Sequence, residues 1–321
     1  MINNFIAITI GDIKGIGIEI LLKLWKKNKI NRFIIFSNKQ IIQNYLNKKK
    51  LKIQLKIINN QIKIINKFDS NKFLFIYDFK ASNIDKNTYK SLIESYKFTK
   101  KYSLKGIITL PLNKEKMKLI NKKFIGQTEF FQKLDKKDVS NMIFVYNKII
   151  VATLTNHIPI NKIIIELSKK KFILNKIINL HNTLINDFDI KNPRLIISGI
   201  NPHCSENGTI GKDDMKILIP NIKKIKDKKI KITGPVSGDA MINKCNIKKY
   251  DCFIFNFHDQ ALIPFKILSD HSGINYTTGL SILRVSPDHG TAYDIVGKNI
   301  ENSNSLYNCF KIIKKISVNR T

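Results

Sequence analysis

VATLTNH (151–157), LIISGINPH (195–203) and FIFNFH (253–258) repeat one arrangement, an apolar run that ends within a few residues in Asn and then His. As KIIVATL (148–154), RLIIS (194–198) and DCFIFNF (251–257), these runs have the length and β-rich content of strands. FIAITI (5–10), RFIIFS (32–37), KFLFIY (72–77), GIITL (106–110) and MIFVY (142–146) read the same way. Between them, 15–28, 86–103, 161–186, 211–227 and 302–316 carry the amphipathic pattern of helices. Strands apolar on both faces, alternating with helices, predict an α/β protein with a largely parallel sheet.

In such sheets the ligand crevice lies just beyond the carboxyl ends of the strands. The pattern sends His157, His203 and His258 to three strand ends. Three neutral imidazole nitrogens suit a catalytic divalent metal that keeps one position open. The competing reading is three unrelated loop histidines bonded to backbone. Asp259, next to His258, and Asp239, in the turn GPVSGDAM (234–241), are carboxylates that can orient a ligand histidine or bind the metal themselves. Cys204 beside His203 reads as incidental.

A second dense segment, GINYTTGLSILRVSPDHGTAYDIVG (273–297), holds Asn275 and Arg284 and follows Lys266 closely. Two cations and an amide suit a phosphate or carboxylate, against the plainer reading of a surface lysine and a salt-bridged arginine. GDIKGIGIE (11–19) follows the first strand and opens a helix, but it spells neither a dinucleotide fingerprint nor a Walker A loop. A tight turn explains it as well as a phosphate cradle does.

The 321 residues are enough for two compact α/β domains, and 43% hydrophobic content supports a sizeable core. The net charge of +32 raises nucleic acid as a partner, yet only Arg32, Arg194, Arg284 and Arg320 are arginine. Nucleic-acid surfaces lean on arginine for bidentate contacts. Lysine here is spread over the whole chain with isoleucine and asparagine, as A/T-rich codons dictate. No nucleic acid is expected. No apolar run reaches the roughly 18–20 residues of a membrane span, and no basic segment precedes the apolar stretch of MINNFIAITIGD. Cys204, Cys245, Cys252 and Cys309 form no CxxC pair. A soluble, cytoplasmic protein without membrane contact is expected.

With these residues laid out, the chain resembles the 4-hydroxythreonine-4-phosphate dehydrogenases of pyridoxal 5′-phosphate biosynthesis. The resemblance runs in order through ITIGDIKGIGIE (8–19), TLPLNKE (109–115), GQTEFF (126–131), TNHIPI (155–160), SGINPHCSENGTIG (198–211), GPVSGDAM, FHDQALIPFK (257–266) and GLSILRVSPDHGTA (279–292). It implies two α/β/α domains of the isocitrate/isopropylmalate-dehydrogenase type, with the active site in the interdomain cleft at a homodimer interface. The outer domain is expected over 1–122 and 273–321, with contacts to the substrate anion and NAD. The central one, 123–272, is expected to carry the metal histidines and the dimer contacts.

By the same resemblance His157, His203 and His258 match ligands of a divalent metal (Zn, Mg or Co), one of them contributed across the dimer. They act in catalysis through that metal, with Asp239 an acid nearby. Gln127, Thr128, Lys266, Asn275 and Arg284 match substrate-binding positions, and the cofactor is NAD or NADP. The implied reaction oxidises the C3 hydroxyl of 4-phosphohydroxy-L-threonine, and the resulting β-keto acid loses CO₂ to give 3-amino-2-oxopropyl phosphate. Gln127 departs from the family, whose GHTE reads GQTE here; GDIKGIG in place of GDPAGIG and HDQAL, where glycine is common, are further departures. Glutamine keeps a hydrogen-bond donor for the substrate but cannot become cationic. A sister dehydrogenase of a four-carbon sugar-acid phosphate, a metal-dependent phosphatase and a basic nucleic-acid-binding module are the competing classes.

Overall fold

The computed structural model describes residues 2–59 and 62–320. In chain order come β1 (Ile6–Thr9), α1 (Gly17–Lys26), β2 (Phe33–Phe36), α2 (Lys39–Lys48), β3 (Gln54–Ile57), β4 (Phe73–Tyr77), α3 (Ile84–Tyr102), β5 (Gly106–Thr109), α4 (Lys114–Ile120) and α5 (Gln127–Leu134). Then follow β6 (Met142–Tyr146), β7 (Ile149–Thr153), α6 (Ile163–Leu167), α7 (Phe172–Asn186), β8 (Arg194–Ser198), α8 (Ile219–Asp227), β9 (Lys231–Val236), α9 (Lys244–Lys249), β10 (Cys252–Phe255), α10 (His258–Ser269) and β11 (Ile274–Thr277). β12 (Arg284–Pro287) and α11 (Asn304–Asn319) close the order.

The chain divides into two compact units, Met1–Phe130 with Ser281–Val318, and Phe131–Leu280 with Asn319–Thr321. The sequence reading put these divisions at 122/123 and 272/273. They shift because β11 pairs antiparallel with β6, which draws 274–277 into the second unit. The ring of Phe130 packs on Tyr89 and Phe124, which keeps the start of α5 with the first.

In the first unit the strands run in the order β3-β4-β2-β1-β5-β12, and every pairing is parallel. β1, β2, β5 and β12 are buried at every position, which is why the first three read as unbroken apolar runs. β3, QLKI, lies at the edge with an exposed Gln54 and a half-buried lysine. Its mixed pattern suits an edge strand and hides it from an apolar-run search. Asparagine starts three helices: Asn38, Asn83 and Asn113 each accept backbone N–H groups from the first turn of α2, α3 and α4.

The second unit orders its strands β11-β6-β7-β10-β8-β9. β7, β10, β8 and β9 are parallel, while β6 is antiparallel to both neighbours, so the parallel expectation holds for four of these six strands. Phe144, Val151, Ile196, Phe253, Phe255 and Phe265 centre its core; burying each such side chain contributes about 1.5–3 kcal/mol. The helix expected over 161–186 is two, α6 and α7, broken where Lys171 takes φ 61°. The one expected over 211–227 begins as a π-helical turn, Asp214–Leu218, before α8, whose second residue is Pro220.

Candidate active site

In the second unit, β7 and β10 run side by side with Phe255 opposite Thr153. The pairing continues past the strands, where Leu154 N–H donates to Phe255 O at 2.9 Å and Thr155 N–H to Asn256 O at 3.1 Å. His157 lies four residues beyond Thr153 and His258 three beyond Phe255, so this register brings both imidazoles to one level. Their ring centroids are 5.6 Å apart. His157 takes a left-handed backbone, φ 48°, which a non-glycine residue adopts at a cost. His258 Nδ1 lies 2.6 Å from Asp259 Oδ1, a contact of the kind that orients a ligand imidazole and leaves Nε2 as its other nitrogen.

The third histidine is presented differently. His203 opens a run of five left-handed residues, His203 to Asn207, with φ between 40° and 68°. Each non-glycine residue there costs roughly 1–2 kcal/mol, and local hydrogen bonds offset it. The fully buried Asp214 carboxylate accepts Ile200 N–H at 2.7 Å, Asn201 N–H at 3.1 Å and the Ser205 hydroxyl at 2.7 Å. Asn201 Nδ2 donates to Ser205 Oγ and Asp213 Oδ2, both at 3.0 Å. His203 lies near Asp239, whose carboxyl is held below the ordinary range by the Ser237 hydroxyl at 2.5 Å and backbone N–H groups, with His203 adding to the effect.

The three strand-end histidines therefore do not converge within one chain. Among the described residues no three His, Cys, Asp or Glu side chains stand close enough to hold a metal ion; His157 and His258 pair, and His203 stands with Asp239. The asparagines of the repeated pattern are scaffold. Asn156 accepts the Thr153 hydroxyl, and the buried Asn256 donates Nδ2 to Ser198 O at 3.0 Å and Gly199 O at 2.8 Å, tying the ends of β10 and β8 together. Lys266 is exposed on α10 and Asn275 half-buried on β11.

The first unit holds the other expected residues. Arg284, 2% exposed on β12, donates Nε to Thr109 Oγ1 at 3.1 Å and Nη2 to the same oxygen at 2.5 Å. Nη2 also reaches Gln127 Oε1 at 2.9 Å. Burial lowers the Arg284 pKa to about 10, with Cys309 and Glu129 acting in the opposite sense; the side chain stays cationic at neutral pH. Gln127 turns its amide N–H to Leu110 O, 3.4 Å away. The oxygen of the amide thus faces a guanidinium and its nitrogen a backbone carbonyl. Thr128, next along α5, is buried.

One cluster escaped the sequence reading. Asp12, 4% exposed in the turn after β1, accepts the Tyr293 hydroxyl at 2.6 Å, Lys116 Nζ at 2.9 Å and Lys14 N–H at 2.9 Å. Burial raises its pKa, and these three donors together lower it further than burial lifts it. At Gly15 a Cβ would lie 2.7 Å from Thr291 O, the carbonyl that accepts Ile16 N–H at 3.0 Å. GDIKGIG is thus the socket for the segment 291–293. The signal was glycine in two distant segments, which composition alone could not connect.

Each unit sets ligand-capable side chains at or beyond the carboxyl ends of parallel strands, the layout of an α/β enzyme. The chain belongs to the family described as "Pyridoxal phosphate biosynthetic protein PdxA", which matches residues 29–313. It is an oxidoreductase of that family. A 4-hydroxythreonine-4-phosphate dehydrogenase of Sulfurihydrogenibium sp. (strain YO3AOP1) is 33% identical over 94% of each chain. That of Aquifex aeolicus (strain VF5) is 32% identical over 98% of each. The crystal structure of the enzyme of the same name from Klebsiella pneumoniae matches with a TM-score of 0.85 and 26% identity, over 98% of both chains. Among the described residues no helix is long and apolar enough to cross a membrane.

Proposed function

We propose that the chain oxidises the C3 hydroxyl of 4-phosphohydroxy-L-threonine with NAD⁺ (or NADP⁺), and that the β-keto acid formed loses CO₂ to leave 3-amino-2-oxopropyl phosphate. The observation that carries this reading is the His157–His258 pair, with Asp259 on the Nδ1 side of His258. The donor chemistry fits a divalent ion: two imidazoles at one level, one of them buttressed by a carboxylate. His157 and His258 of one chain, with His203 from a second copy, would hold it. Such an ion supplies Lewis-acid polarisation of the substrate hydroxyl. Arg284 supplies fixed positive charge for an anionic end of the substrate, with Thr128, Lys266 and Asn275 as further contacts. Holding both ends of the substrate orients C3 for hydride transfer.

A homodimer is part of the proposal. α10, the helix that His258 opens, exposes Ile263 (64%) and Ile267 (77%) one turn apart. Two such side chains on the helix that presents a site residue suit burial against a second copy of this chain. A cytoplasmic location is also proposed, supported by four cysteines that are all free thiols.

The test is absorbance of NADH after adding NAD⁺ or NADP⁺ and 4-phosphohydroxy-L-threonine, with and without chelator. Turnover that chelation stops and a divalent ion restores is the expected result. Phosphate release without reduction of either nucleotide would replace this reading by that of a phosphatase.

A further inference from the structure

Gln127 meets protein at both ends of its amide. Its Nε2 meets a carbonyl, Leu110 O, which can only accept. Its Oε1 meets a guanidinium nitrogen of Arg284, which can only donate. The two partners fix the amide orientation without ambiguity. Gln127 Oε1 and Thr109 Oγ1 then meet Arg284 along one edge, Nε and Nη2. A planar group held at one edge by two acceptors on different elements, α5 and the end of β5, cannot turn about its own axis. Other charge faces it from Glu129 on α5, and the Cys309 thiol faces it from α11.

We propose that Gln127 is a positioning residue: through Oε1 it sets the plane of the Arg284 guanidinium for the anionic end of the substrate. This rests on the reading above in which Arg284 serves the substrate anion. A glutamine oxygen is an acceptor at every pH. A histidine in its place accepts only while neutral and, once protonated, presents N–H donors and positive charge to another cation. The glutamine therefore keeps the orientation of Arg284 independent of pH across the range in which histidine titrates.

Two measurements test this. In steady-state kinetics with 4-phosphohydroxy-L-threonine, Gln127→Leu should raise KM at least about tenfold with a smaller change in kcat, because anion placement and not chemistry is damaged. Gln127→His, taken as a ratio to the wild type so that the substrate's own phosphate titration cancels, should keep KM near normal at about pH 8 and raise it progressively towards about pH 5. Turnover by the wild type with an unchanged KM in both variants would overturn the positioning role and leave the proposed reaction standing. Absence of wild-type turnover would instead remove the proposed reaction. A second measurement then decides the inference on its own: rotation of the Arg284 guanidinium about Nε–Cζ, read by nitrogen-15 NMR. Slow rotation in the wild type and fast rotation in Gln127→Leu support it, and equal rates in the two proteins overturn it.

Discussion

Tyr293 donates its hydroxyl to Asp12 at 2.6 Å and so closes the segment after β12 onto the turn after β1. Lys116 on α4 completes the grip from a third element. One carboxylate thus holds together the loops that follow three parallel strands, at the edge where such sheets bind ligands.

Removing that hydroxyl with Tyr293→Phe should lower stability by about 1.5–3 kcal/mol, the range for a hydrogen bond to a charged group. Because the folded-state pKa of Asp12 is depressed, its contribution is present above the unfolded carboxyl pKa of about 3.9 and is lost as pH falls through the folded value. Urea unfolding should therefore separate variant and wild type at neutral pH and bring them together in acid. A gap that persists in acid would mean that Tyr293 acts by packing.

Asp259→Asn should weaken metal dependence without abolishing it. The contact at 2.6 Å orients His258, and loss of such a carboxylate typically costs about 10–100-fold in metal affinity. Titrating a divalent ion back into chelated enzyme, with activity and bound metal both followed, should show the half-saturating concentration displaced upward by that factor. An unchanged titration would assign Asp259 to the surface, where its 72% exposed side chain also places it.

Arg284→Lys retains charge but loses the planar fork that Thr109 and Gln127 engage. The expected KM rise is at least about tenfold, or about 1.4 kcal/mol. Burial draws the Arg284 pKa down, but it stays far above neutral, so the charge persists and an unchanged KM in Arg284→Lys would mean that Arg284 is structural.

Ile267→Glu, on the exposed stripe of α10, should yield monomer by sedimentation and abolish turnover while leaving the melting of the isolated chain nearly unchanged. A dimer that survives this change would place the interface elsewhere.

Much of the fold was legible because strands buried on both faces leave unbroken apolar runs, as IAIT, FIIF and CFIF do. β3, β9, β11 and β12 were missed: QLKI is an edge, KITGPV and RVSP carry charge and proline where an apolar run is sought, and INYT is half polar. The histidines were legible as strand-end residues, since their register follows from strand length. Their separation into a pair and a single residue was not: it depends on the left-handed run after Asn201, which Asp214 and Asp213 stabilise from a different turn. The Asp12–Tyr293 bond and the opposition of Gln127 to Arg284 join residues that no local pattern links. A glutamine reads the same in one sequence whether its oxygen or its nitrogen faces the ligand.

The left-handed run ties His203 to a residue outside it. Asp214 accepts the neighbouring N–H groups and the Ser205 hydroxyl, and it begins the π-helical turn that leads into α8. The place of a site histidine is thereby coupled to the start of that helix, so a change at one end is felt at the other.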